Sequence, residues 1–129
     1  MGNLESRLVF MICPVRGITE EESQFLQDYV ADLESKGHKV HYPPRDTHQD
    51  DPVGYNICRE NRQAILDADE VHIYWNSSSS GSKMDLGMTF MLEKPLKLIN
   101  REQVQPTPHK SFENVVLKLD EMYRSVTLN

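Results

Sequence analysis

The sequence predicts a single α/β domain in three layers, a parallel sheet of four to five strands with helices over both faces. Three observations carry that expectation. Short apolar, β-prone runs alternate with longer segments whose apolar residues recur at helical spacing, in the order βαβαβαβα. The first run, Leu8-Val9-Phe10-Met11-Ile12, is apolar without interruption, as a strand buried on both faces must be. The length of 129 residues, 38% of them hydrophobic, is enough for one continuous core.

Taken in order, the first strand ends at Cys13-Pro14-Val15-Arg16-Gly17, because Pro14 cannot donate to a ladder. Thr19 with Glu22 has the pattern of a capping box, in which side chain and backbone of the two positions pair reciprocally. Phe25, Leu26, Tyr29, Val30 and Leu33 then follow at helical spacing, and Lys36-Gly37 closes the helix. The acidic run Glu20-Glu21-Glu22 suits a first turn and needs no other role. A short second strand runs from His38 to Tyr42, ended by Pro43-Pro44. From Arg45 to Gly54 the chain is polar and acidic, a flexible surface loop in which His48, Asp46, Asp50 and Asp51 do not make a metal site.

A second helix is expected from Tyr55 to Asp67, with Ile57, Asn61, Ala64, Ile65 and Ala68 on its inner stripe. Asn61 is the odd member, a polar group facing inward. The third strand spans Glu70 to Trp75, and a serine-rich turn leads to a buried helix from Met84 to Leu92. After Glu93-Lys94-Pro95 come a fourth strand from Leu96 to Ile99 and a loop from Arg101 to Lys110. The last helix is capped by Ser111, with Phe112, Val115, Val116, Leu119, Met122 and Tyr123 in register.

With right-handed crossovers this order gives a Rossmann-like, flavodoxin-like three-layer sandwich. Such sheets bind ligands beyond the carboxyl ends of their strands, where the strand order reverses. The loops there are residues 13–18, 43–54, 76–83 and 100–109, so Arg16 and the serine turn share one rim.

The formal net charge of −6 argues against a nucleic-acid polymer as partner, because duplex binding needs a positive surface. Two cysteines, Cys13 and Cys58, are too few for a disulfide framework and point to a reducing compartment. No apolar run approaches the roughly 18 residues of a membrane span. A cytoplasmic protein without metal or redox cofactor is expected.

The chemistry is expected in Asn76-Ser77-Ser78-Ser79-Ser80-Gly81-Ser82-Lys83-Met84-Asp85-Leu86-Gly87. A strand, a Ser/Gly turn and a helix N-terminus form an anion site, since the first helical N–H groups are unpaired. Asp85 falls in the first turn of that helix. Read blandly, the serines are solvated and Asp85 is a first-turn acid that favours the helix dipole.

Ile12-Cys13-Pro14-Val15-Arg16-Gly17, Ala68-Asp69-Glu70-Val71 and Gly81-Ser82-Lys83-Met84-Asp85-Leu86-Gly87 together resemble the nucleoside 2-deoxyribosyltransferase superfamily. That superfamily includes the 2'-deoxynucleoside 5'-monophosphate N-hydrolases. The order and spacing match over roughly Leu8 to Ile99. The Arg-Gly after strand one and the serine turn look more like the monophosphate hydrolases, whose corresponding residues hold a 5'-phosphate. The resemblance implies Asp85 as the carboxylate at the sugar C1', where glycoside chemistry sets a carboxylate against an oxocarbenium-like carbon. It implies Asn61 at a second catalytic position. Cys13, Val15, Arg16, Gly17, Asp69, Ser80, Gly81, Ser82 and Lys83 would be substrate-binding, and a homodimer is implied.

Three positions depart from the family pattern. Asp85 stands where the family carries glutamate, one methylene longer, and a displacement of about 1 Å costs on the order of 100-fold in rate. Asn61 stands where the family carries an acid, and it cannot supply a proton. Lys83 replaces a residue that is usually glycine; it would bind phosphate and depress the Asp85 pKa. On their own chemistry, Cys13 packs rather than attacks, Asp69 fixes the start of strand three, and Tyr74 belongs to the core. The expected function is hydrolysis of the base–sugar bond of a nucleoside 5'-monophosphate. The alternatives are a nucleoside deoxyribosyltransferase, a nucleotide-sensing module without turnover, or a flavodoxin-like signalling domain docking through Met84, Met88 and Met91.

Overall fold

The structure, a computed structural model, describes residues 5–127. It contains β1 (Leu8–Ile12), α1 (Glu20–Ser35), β2 (Lys39–His41), α2 (Pro43–Asp46), α3 (Tyr55–Asp67), β3 (Glu70–Ile73), α4 (Ser80–Met91), β4 (Leu96–Leu98), a 3-10 turn at Arg101–Gln103 and α5 (Phe112–Thr127). The four strands are parallel in the order β2-β1-β3-β4. The chain passes from β1 outward to β2 and then crosses to β3, so the strand order reverses between β1 and β3. The α/β sandwich expected from the alternation is the one observed.

β1 is central because nothing in it needs water: Val9, Phe10, Met11 and Ile12 are all buried. Its period of two divides the core. Phe10 and Ile12 join Ile65, Val71, Ile73, Trp75 and Leu86 on the side of α3 and α4. Met11 and Cys13 join Leu26, Val30, Val40, Tyr42 and Tyr74 on the side of α1. Each such side chain contributes about 1.5–3 kcal/mol on leaving water. α1 begins at the Thr19–Glu22 capping box, with both bonds at 3.0 Å, and Gly37, at φ +92°, takes the left-handed turn after it.

α5 guards the edge strand β4. The Leu98 N–H donates to Asp120 Oδ1 at 2.8 Å, and Asp120 Oδ2 accepts from Arg101 and Arg124, each at 2.6 Å. A fully buried carboxylate thus caps a strand edge that would otherwise present a free donor.

Four local expectations are corrected. Pro43-Pro44 does not merely stop β2. The two prolines open α2, where their fixed φ suits a first turn and the missing N–H costs nothing. The segment that follows is not a flexible acidic loop, because Asp46, Asp51 and, from α3, Glu60 tie it down, with Asp50 left in solvent. Asp46 accepts from the Tyr42 N–H, Asp51 from the Asn56 and Ile57 N–H groups at the start of α3, and Glu60 from the His48 N–H.

α4 starts at Ser80 rather than Met84, because Ser79 Oγ accepts the Ser82 N–H at 3.1 Å and caps it early. Nor is α4 a buried apolar helix. It turns Ser82, Asp85, Leu86 and Thr89 inward and leaves Met84, Phe90 and Met91 outside, at 53%, 61% and 81% exposed. No helix among the described residues is long and apolar enough to cross a membrane.

Candidate functional site

Asp85 lies in the second turn of α4 and not in the first, because the helix already starts at Ser80, and α4 follows β3, beside the point where the strand order reverses. It is 6% exposed. Burial raises its carboxyl to about 7, and the Asn61 amide alone works in the other direction. Asn61, from the inner stripe of α3, places Nδ2 at 3.4 Å from each oxygen of the carboxylate. Asn61 Oδ1 in turn accepts from the Thr47 hydroxyl at 2.7 Å, and the Thr47 Oγ meets His41 Nε2 at 2.8 Å. His41 lies stacked on Phe10, with ring centres 5.3 Å apart. β2, the loop after α2, α3 and α4 thus each contribute one polar side chain to a single line that ends on Asp85.

Ser82 shares the inner stripe of α4 with Asp85, one turn earlier. It is 1% exposed, and its hydroxyl is the buried side-chain polar atom among the described residues that has no hydrogen-bond partner. A hydroxyl without a partner in a protein interior is costly, of the order of 1–3 kcal/mol, and a group that hydrogen-bonds Ser82 Oγ would remove that cost. The N–H groups of Ser80 and Gly81 are first-turn donors without a helical acceptor. Ser80 and Gly81 are exposed at the rim.

The loop after β1 brings Cys13 close enough for the Asp85 charge to act on its thiol. Burial, with that charge second, pushes the thiol up to about 12, so Cys13 is no thiolate nucleophile. Val15, Arg16 and Gly17 are exposed on the rim, Gly17 in the left-handed region at φ +71°. Arg16 has no ion-pair or hydrogen-bond partner among the described residues.

Two expected site residues are placed elsewhere. Asp69 stands before β3, at the opposite end of the sheet from Asp85, and accepts the Leu8 N–H at 2.8 Å. It fixes the start of the strand pair rather than lining the rim, because strands of a parallel sheet present only their carboxyl ends there. Lys83 does not depress the Asp85 pKa, which is raised instead. Its Nζ lies over the Phe112 ring, 5.7 Å from the centroid, since the residue two before Asp85 falls on another face of the helix.

His41 and Thr47 escaped the sequence reading. Thr47 carries no pattern, being one polar residue in a polar stretch. The alternation Lys39-Val40-His41 did hold a signal, because it sets His41 on the face opposite Val40, toward α3.

The described cavities lie apart from Asp85. A hollow of about 270 Å³ at the rim is lined by Glu22, Tyr74, Asn76, Gln103 and Glu113 among others, an acidic wall unsuited to phosphate. One of about 1240 Å³ lies at the other end of the sheet, among Arg7, Glu70, Met91, Leu119 and Met122. Asp85 and Ser82 are both buried and line neither hollow.

Compared by sequence, the chain matches no protein-family model and no curated protein. By structure it is similar to a 2-deoxyribosyltransferase from Bacillus psychrosaccharolyticus, at 20% identity and a TM-score of 0.60, over 81% of this chain and 76% of that one. It is also similar to a conserved protein from Enterococcus faecalis, at 12% identity and a TM-score of 0.61, over 92% and 88%. A CMP N-glycosidase from Clostridium botulinum matches at 18% identity and a TM-score of 0.55, over 89% and 99%. These likenesses establish the fold. The chain has the α/β architecture of a deoxyribosyltransferase and of a nucleotide N-glycosidase.

Proposed function

We propose that the protein is an N-glycosidase that hydrolyses the base–sugar bond of a nucleoside or deoxynucleoside 5'-monophosphate. The observation that carries this is Asp85, a buried carboxyl raised to about 7, set one turn inside α4 beside the reversal of strand order. A carboxyl of that kind is half ionised at neutral pH and is poorly solvated, which favours attack on carbon.

In the ionised form one oxygen of Asp85 adds to C1' as the C1'–N bond breaks, and the electron pair of that bond leaves with the base. The base takes a proton from solvent. Water then adds to C1', the bond to Asp85 breaks, a proton returns to solvent, and the products are free base and sugar 5-phosphate. Asn61 orients the carboxylate by donating to both oxygens. Arg16, Ser80, the Ser82 hydroxyl and the first N–H groups of α4 hold the phosphate. Lys83 joins them on leaving Phe112, and Cys13, Val15, Gly17 and Gly81 shape the walls.

The test is incubation with nucleosides and their 5'-monophosphates, ribo and deoxy, followed by chromatography for free base, with Asp85→Ala alongside. Base released from monophosphates by the native protein and not by the variant is the expected result. Release from none of them overturns the reading.

A second reading, a nucleotide sensor without turnover, is favoured by an amide, Asn61, where the related enzymes' pattern has an acid. A thermal shift with a nucleotide and no base release would select it. Release only in the presence of an acceptor base would select a transferase.

A further inference from the structure

The hydrogen-bond line His41–Thr47–Asn61–Asp85 has a direction, and the direction follows from proton counting. A threonine hydroxyl has one proton. Thr47 gives it to Asn61 Oδ1, at 2.7 Å, so the 2.8 Å contact between Thr47 Oγ and His41 Nε2 is donated by the ring. Asn61 Oδ1 being engaged, its amide nitrogen faces Asp85, and both 3.4 Å contacts are donations to the carboxylate. Every proton in the line points toward Asp85. The reverse arrangement needs Asp85 to donate to Asn61 Oδ1, the amide to turn over, and the Thr47 proton to point at a bare His41 Nε2. Forward, the line is complementary to an ionised Asp85; reversed, to a protonated one.

We propose that His41 is a positioning residue for Asp85, acting through Thr47 and Asn61: its Nε2–H fixes the direction of the line and so holds the carboxylate in its ionised, acceptor form. The proposal rests on Asp85 being the reacting group, and it deepens that reading by naming what sets its protonation.

The surroundings leave room for such control. Cys13 at the end of β1 is the titratable group that faces Asp85, and its thiol stays protonated. Thr47 and Asn61 are buried, so water does not compete for the contacts they make in the line. Around His41, burial lowers the ring's pKa and outweighs the charges of Asp46 of α2 and Glu60 of α3, which raise it, with Arg45 of α2 acting against them, so the ring stays neutral. A neutral ring with its proton on Nε2 is what the forward line requires.

The test is a pH titration of the Asp85 carboxyl carbon by NMR in the intact protein, a readout that needs no substrate. His41→Phe keeps a ring on Phe10 and removes the donor; His41→Gln keeps an amide donor. Thr47→Val cuts the line, and Thr47→Ser keeps it. The donor-less pair should raise the Asp85 midpoint by on the order of one pH unit, and the conservative pair should leave it near the native value. The acid limb of the base-release profile should move with it.

A midpoint that stays put in His41→Phe and Thr47→Val, both folded, overturns the proposal, and lowered Tm alone would mark the line as mere packing. Should one of these variants fail to fold, the other decides, and a midpoint there that stays at the native value overturns the proposal. If the midpoint moves as expected while no substrate is turned over, the inference stands as a control on Asp85 and the hydrolase reading falls.

Discussion

Glu70 and His72, two residues apart on one face of β3, meet at 2.6 Å through Oε2 and Nε2. Tyr123 and Arg7 also donate to Glu70, and Tyr29 meets the far side of the His72 ring at 2.7 Å. Burial pushes the Glu70 carboxyl up, but the donors from His72, Tyr123 and Arg7 outweigh it and hold it at about 2, against an ordinary 4.5. Because the folded value is depressed, the stability it contributes is complete above about 4.5 and is lost as the pH falls toward 2. Thermal melts between pH 6 and pH 2 should show that decline, and Glu70→Gln should flatten it while costing about 3 kcal/mol at neutral pH.

Asp85 behaves in the opposite sense. Its folded value is raised from 3.8 to about 7, so its contribution is present below about 4 and is lost as the pH rises through 7. Asp85→Asn should therefore stabilise the protein, by up to about 4 kcal/mol above pH 7 and by little below pH 4. Urea unfolding of native and variant at pH 4 and pH 8 measures the difference. An equal effect at the two values would refute the raised carboxyl.

Asp120→Ala removes the acceptor of the Leu98 N–H and of two arginines at once, and should cost 3–5 kcal/mol, in the range for breaking a buried pair. Arg124→Ala, whose side chain is half out in solvent, should cost about 1 kcal/mol or less. Denaturant midpoints of the two variants compare them directly.

Arg16→Ala tests the phosphate assignment. With Arg16 exposed and unpaired, its loss should leave Tm within about 1 °C of native, since surface changes of this kind are nearly neutral. It should raise KM for a nucleoside monophosphate about tenfold and leave the free nucleoside unaffected. A parallel change for both substrates would remove Arg16 from the phosphate site.

Met84, Phe90 and Met91 give α4 an apolar outer face, and we expect two copies of the chain to associate through it. Sedimentation should find a dimer that Met91→Lys dissociates. A native monomer at tens of micromolar would rule the association out.

The architecture was legible because it depends on period and punctuation. The unbroken Leu8–Ile12 run, the Thr19–Glu22 box and Gly37 each act within a few residues, and the inward Asn61 showed as a break in an apolar stripe. What was hidden depends on distance along the chain. Lys83 is close to Asp85 in sequence, yet the helix turns it toward Phe112. Thr47 lies 14 positions from Asn61 and Asn61 lies 24 from Asp85, and no local pattern records such a meeting. α4 misled for a different reason. Its apolar residues announced a core helix, while its few polar ones, Ser82, Asp85 and Thr89, took the inner face.

Cys13 is buried just after β1 with its thiol raised to about 12, and Cys58 is partly open on α3. An alkylating reagent at neutral pH will therefore mark Cys58 readily and Cys13 only in molecules whose rim has parted and let water lower that thiol. The labelling rate of Cys13 becomes a clock for the breathing of the site, running without any substrate and readable by mass. A nucleotide that locks the rim shut would slow the clock; one that props it open would speed it.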